Sequence, residues 1–121
     1  MGITQNYNQQ EDIAISLAEE QLQAYNNRNV EAFLKPYNED IKVYQYPDNL
    51  LYTGKEKMRA VYTDKFNNLT DLHCQLVNRI VLRNIVIDQE EVTVEKDKPK
   101  INAIAIYTIV NNKIDEVRFI R

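Results

Sequence analysis

INAIAIYTIVNNKIDEVRFI, residues 101–120, is the stretch that decides the fold. From Ile101 to Val110 it fills both rows of a strand with apolar side chains. Ala103, Ala105, Tyr107 and Ile109 form one row, and Ile104, Ile106 and Val110 the other. Successive side chains of a strand point to opposite faces, so this strand needs a cover on each side. Asn111-Asn112 then reads as a tight turn, and Lys113–Ile120 returns as a further strand.

The alternation extends upstream. From Leu72, one row is Cys74, Leu76, Asn78, Ile80 and Leu82, and the other is His73, Gln75, Val77, Arg79 and Val81. Arg83-Asn84 is a two-residue hairpin turn in which Asn84 tolerates positive φ and Arg83 fits less well. A strand from Ile85 to about Glu95 follows, then a charged loop, Lys96 to Lys100, with Pro99.

The first half reads as helices. Asn8 and Glu11 form a capping-box start, and Ala14, Leu17, Ala18, Leu22 and Tyr25 recur on one helical face that Gln21 interrupts. Asn26 to Asn29 break this helix. Val30, Phe33, Leu34 and Tyr37 predict a second, short one whose last turn Pro36 weakens. The short strand IKVYQY (41–46) runs into a proline turn. Thr53-Gly54-Lys55-Glu56 then predicts a capping box opening a third helix with Met58, Val61, Tyr62, Phe66 and Leu69 on one face. Helices first and hairpin-linked strands after them give an α+β domain with a curved antiparallel sheet. Three helices cover only one face of that sheet, so a homodimer through the outer sheet face is expected.

Composition bounds the function. A chain of 121 residues suits one domain, expected over residues 11–121 after a flexible polar lead at 1–10. The formal charge of −3, with both signs interspersed, argues against nucleic-acid binding, which needs a basic face. No apolar run approaches the ~20 residues of a membrane span, and the N-terminus lacks an export signal. Cys74 is the only cysteine, which excludes an intrachain disulfide and a thiolate metal cage and fits a reduced, cytoplasmic setting. With one histidine and no converging carboxylate pair, no metal site is predicted, and no cofactor is implied.

Several separated strings, in order and spacing, resemble the SnoaL-like branch of the nuclear transport factor 2-like superfamily, which also contains the ketosteroid isomerases. They are LQAYNNRNVEAFLKPYNEDIKVYQYP, Gly54 at the third helix, NRIVLRNIVID, and AIAIYTIVNNKIDEVRFIR. The resemblance covers nearly all of the chain from about residue 12. It implies a cone, a bent sheet wrapped around a long helix and open at one end into an apolar pocket, and it agrees with a homodimer. It implies no single activity, because the superfamily hosts isomerases, cyclases, dehydratases and proteins without known catalysis.

Ketosteroid isomerases use a carboxylate base on the first strand and pair a tyrosine with a protonated aspartic acid against the developing enolate. By the resemblance the base position falls on Gln45, the tyrosine on Gln21 and the aspartic acid on Ala105. That catalytic set is absent. Gln21 and Gln45 are instead expected to face the pocket as neutral donors and acceptors, so Gln45→Leu should weaken binding of a polar ligand. Asn78 is a third neutral candidate, or else a buried asparagine satisfying a sheet bulge. Asp88 is a candidate acid, although a tight Arg83-Asn84 turn sets it opposite Arg79, where a cross-strand ion pair is expected. His73 is the other proton carrier, with a solvated role as the alternative. By the resemblance Tyr25, Tyr107 and Phe119 turn toward the cavity, and plain core packing explains each equally well. Arg121 can receive an anionic ligand at the pocket mouth or fray. The expected function is binding of a small apolar or aromatic ligand, with isomerase-, cyclase- or dehydratase-like chemistry on a carbonyl-bearing or polycyclic compound. The alternative is a non-catalytic homodimeric interaction module whose cone is filled by its own side chains.

Overall fold

The computed structural model describes residues 6–121. Its elements are α1 (Gln9–Asn26), α2 (Val30–Leu34), β1 (Tyr37–Gln45), β2 (Asn49–Thr53), α3 (Lys55–Asn68), β3 (His73–Leu82), β4 (Ile85–Thr93), β5 (Ile101–Val110) and β6 (Lys113–Ile120). Of the lead expected at 1–10, residues 1–5 lie outside the described residues, and Gln9 and Gln10 already belong to α1.

The helix starts follow local chemistry. The Asn8 side chain accepts the Glu11 amide at 2.8 Å, and the Glu11 carboxylate accepts the Asn8 amide at 3.1 Å, which closes a capping box. Ala14 and Ala18 are fully buried, and their small side chains let α1 lie close against the sheet. α2 ends at Leu34, because Pro36 has no amide to donate and restricts the residue before it. Tyr37, expected on that helix, is therefore the first residue of β1. The box expected at Thr53 is absent. Thr53 is spent in the ladder, opposite Lys42 of β1, so Gly54 becomes the cap of α3 without a side-chain bond. Its φ of +92° is one that side-chain-bearing residues rarely adopt.

The sheet is curved and unclosed, in the order β2-β1-β6-β5-β4-β3. Every junction is antiparallel except β1–β6, which is parallel. β2, which the sequence reading left as a turn, is a short edge strand on β1. In the β3–β4 turn Arg83, not Asn84, takes the positive φ of 55°. Its amide donates to the Glu11 carboxylate at 2.8 Å, while the Asn84 side chain donates to the Ile109 carbonyl at 3.0 Å.

A bulge in β3 between Leu76 and Asn78 has the largest consequence for the site. The inserted residue reverses the alternation. Cys74 and Leu76 face the helices, but beyond the bulge Arg79 and Val81 do so, and Asn78, Ile80 and Leu82 are exposed. The single continuous row expected from Cys74 to Leu82 does not exist.

The core fills the space between the helices and the inner face of the sheet. Phe33 is its aromatic centre, with ring centroids 4.3 Å from Tyr62, 5.2 Å from Tyr37 and 5.9 Å from Phe66. Each such pair adds about 1 kcal/mol beyond burial of its area. Tyr25 joins through an edge contact with Phe66 at 5.6 Å. Among the described residues, no helix is long and apolar enough to cross a membrane.

Candidate functional site

A cavity of about 260 Å³ remains where β4 and β5 bend away from α1 and α3. A small residue helps open it, since Ala103 occupies an inner position of β5 where Tyr107 and Ile109 continue the row. A dry apolar space of about 150 Å³ holds a benzene molecule. The cavity therefore has room for a guest larger than one ring, although it is smaller than the ~300 Å³ at which drug-sized pockets begin. It is not packed shut by Tyr25, Phe66 and Tyr107.

At one end the fold satisfies its own polar groups. Gln21, 4% exposed, donates from Nε2 to the Ala18 carbonyl at 2.9 Å and to the Tyr107 hydroxyl at 3.0 Å. Its Oε1 accepts the Tyr37 hydroxyl at 3.2 Å. Gln21 thus lines the cavity with its amide occupied by two tyrosines, not by Gln45. The O–H of Tyr107 has no acceptor among the described residues and is left to donate. Burial holds the Tyr37 and Tyr107 hydroxyls far above the usual phenol range, so both stay protonated.

Glu90 is the ionisable group of the inner wall. It follows Val86 and Asp88 in the inward row of β4, opposite Ala103, and is 7% exposed. Burial first, and the neighbouring Asp88 charge second, push its carboxyl up to about 7. A hydrogen bond from the Cys74 thiol and the positive charges of Arg121 and Arg79 pull the other way. Cys74 is positioned by Asn26, whose side chain receives the Cys74 amide at 2.8 Å and donates to its carbonyl at 2.9 Å. This clamp ties the edge strand β3 to the end of α1. Burial and the adjacent Glu90 raise the thiol, so Cys74 is a neutral donor rather than a nucleophile.

Asp88 is fully buried but turned away from the cavity. Arg79 holds it with two parallel bonds, Nε to Oδ1 at 2.7 Å and Nη2 to Oδ2 at 2.9 Å, and reaches Glu19 of α1 with Nη1 at 2.9 Å. A carboxylate locked in such a pair has no free lone pair directed at a guest.

The other residues singled out from sequence separate into two groups. Tyr25, Tyr107, Phe119 and Arg121 line the cavity together with Gln21. Gln45 does not. It shares the strand row of Ile41 and Val43, but its β6 neighbour Phe119 forms the cavity wall on that side. Asn78 is exposed because of the β3 bulge. His73 is exposed at the start of β3, opposite Thr93, and is not among the lining residues. The sequence reading missed Glu90, Cys74, Tyr62 and Lys65 in the lining. The signal for Glu90 was available, since it lies two residues beyond Asp88 and so shares its row.

Residues 18–117 match the SnoaL-like domain family. No curated protein is significantly similar in sequence. An uncharacterised cystatin-fold protein of Novosphingobium aromaticivorans superposes with a TM-score of 0.81 at 22% identity, over 89% of this chain and 97% of that one. A protein of Jannaschia sp. CCS1, assigned as a SnoaL-like polyketide cyclase, gives 0.79 at 13% identity, over 96% and 90%. An LEH-like epoxide hydrolase of M. tuberculosis gives 0.74 at 10% identity, over 91% and 83%. At these identities the likeness is one of fold. The matched segment runs from the middle of α1 into β6, and on that ground the chain belongs to the SnoaL-like family within the nuclear transport factor 2-like fold.

Proposed function

We propose that this protein binds a small ring-containing molecule in the cavity and that Glu90 exchanges a proton with it. The observation that carries the reading is a cavity-facing carboxyl poised near neutrality among aromatic walls. A proton acceptor works best when its pKa lies near the working pH, and Glu90 meets that condition by burial rather than by a catalytic partner. The free Tyr107 O–H supplies a donor for a carbonyl oxygen in the same space. Together these groups suit isomerisation, cyclisation or dehydration of a carbonyl-bearing compound, through a β4 carboxylate instead of the β1 base of ketosteroid isomerases. The free thiol of Cys74 supports a reducing, cytoplasmic setting.

The test is native mass spectrometry of the purified protein for a retained small molecule, followed by fluorescence titration with naphthamide as a neutral aromatic probe. Binding is expected in the parent protein and lost in Ala103→Phe, which fills the cavity. Equal binding by both proteins, with the variant folded, would refute the cavity as the site.

The outer sheet face carries a second, compatible element of the proposal, a homodimer. Ile80 and Leu82 are 57% and 66% exposed, and Ile85, Ile87, Ile104 and Ile106 continue the same apolar surface across β4 and β5. Contiguous apolar faces of this kind mark association surfaces. A second copy presenting the same face satisfies it without any charge to match. Sedimentation at high micromolar concentration reads the outcome, and a monomer throughout would exclude it.

A further inference from the structure

The rim of the cavity carries a charge pattern that the aromatic walls do not require. Lys65 of α3 and Arg121, just past β6, both line it. The Lys65 ammonium lies 5.0 Å from the Tyr62 ring centroid, and the Arg121 guanidinium lies 4.3 Å from that of Phe119. Neither has a carboxylate within ion-pair distance among the described residues. Several other cations of this acidic protein do meet carboxylates. Lys55 meets Glu39, Arg59 meets Glu31, and Arg118 meets Glu116 and Asp48. Lys65 and Arg121 are also close enough that the arginine charge, after burial, lowers the lysine pKa. Two unpaired like charges that stack on the rings of an apolar cavity leave an anion's place between them.

Resting on the cavity reading above, we propose that the natural guest is an amphiphilic carboxylic acid, with its ring system inside and its carboxylate held between Lys65 and Arg121. The chemistry of the two ends agrees. A charged donor pair favours a carboxylate, while the interior offers tyrosine hydroxyls, the Gln21 amide, the Cys74 thiol and Glu90 as polar contacts. Glu90 is 7% exposed, whereas the ligand's charge is placed at the rim. The cations stand where their stems remain packed on aromatic rings and their heads reach water, the usual disposition of long basic side chains.

The experiment compares a matched pair, naphthoate and naphthamide, by calorimetric titration of the full chain. Naphthoate is expected to bind roughly tenfold more tightly, the increment of one charge-assisted bond, and to weaken with added salt while naphthamide does not. Lys65→Met preserves the stem over Tyr62, and its fold is checked by circular dichroism. It should remove most of the acid's advantage and leave the amide unchanged. Equal affinity for the two probes, or an acid preference that survives in both Lys65→Met and Arg121→Met, overturns the carboxylate assignment while the cavity reading stands. Failure of both probes to bind overturns the two together.

Discussion

Glu90→Gln tests the poised carboxyl without any ligand. In the folded chain Glu90 titrates at about 7, against an ordinary value of 4.5. Below pH 4.5 both folded and unfolded chains hold the proton, and the residue adds no pH dependence. Between pH 4.5 and about 7 the unfolded chain releases the proton while the folded chain keeps it. Stability then falls with rising pH by about 1.4 kcal/mol per pH unit, and above about 7 it levels off. The full span is worth about 3 kcal/mol, carried first by burial and then by Asp88, against the Cys74 thiol, Arg121 and Arg79. Glutamine cannot ionise, so the variant lacks this loss. Urea unfolding of both proteins from pH 4.5 to pH 8 should show the variant gaining on the parent by about 3 kcal/mol across the series. Other titrating groups are common to both chains and cancel in the difference. A stability difference that stays flat with pH would mean that Glu90 ionises like a solvated glutamate, and its assignment as the proton carrier would fail.

Three further outcomes follow from the same geometry. Asp88→Ala leaves the Arg79 guanidinium without its buried bidentate partner and should destabilise the fold by about 3 kcal/mol, read by chemical denaturation. Gln21→Leu strands the buried hydroxyls of Tyr37 and Tyr107, and a loss of roughly 2–4 kcal/mol is expected in the same assay. If Gln21 were merely a pocket wall the cost would be near zero. Ile80→Lys places a charge in the middle of the outer apolar face and should convert a sedimenting dimer to monomer with an unchanged circular dichroism spectrum.

The fold was legible where a pattern had one physical solution. The alternation from Leu72 onward called for consecutive strands joined by short connections, and β3, β4, β5 and β6 pair in that order. The tight turn at Arg83-Asn84 fixed the register that sets Arg79 against Asp88. What escaped were local events that leave no periodic trace. One inserted residue in β3 turned Asn78 outward, so it is neither a pocket group nor the buried asparagine at a bulge that was its alternative. β2 is short and lies at the edge, so LLYT after Pro47 read as part of a turn. Gln45 occupies the expected row, yet the cavity stops at Phe119, and row membership alone carries no information about where a wall stands. Asp88 drew attention as an acid in an apolar run. Glu90, in the same row, is the one left facing the cavity, because Arg79 is taken up by Asp88 and Glu19.

That division of labour explains why the two acids of β4 behave so differently. Asp88 is neutralised by a guanidinium that also reaches Glu19, so its burial is compensated within the fold. Glu90 faces Ala103 across the sheet, with a single thiol as its hydrogen-bond donor and an unfilled space in front of it. A leucine in its place would bury apolar surface and carry no ionisation cost, so on stability alone the carboxyl is the worse residue. Local rules are broken in this way chiefly at sites of function, where stability is given up for a reactive group. Ala103 of β5 belongs to the same arrangement, because a larger residue there would fill the hollow in front of Glu90. Glu90→Gln should therefore yield a sturdier protein above neutral pH that still admits naphthamide but has no proton to exchange, separating occupancy of the cavity from whatever chemistry takes place in it.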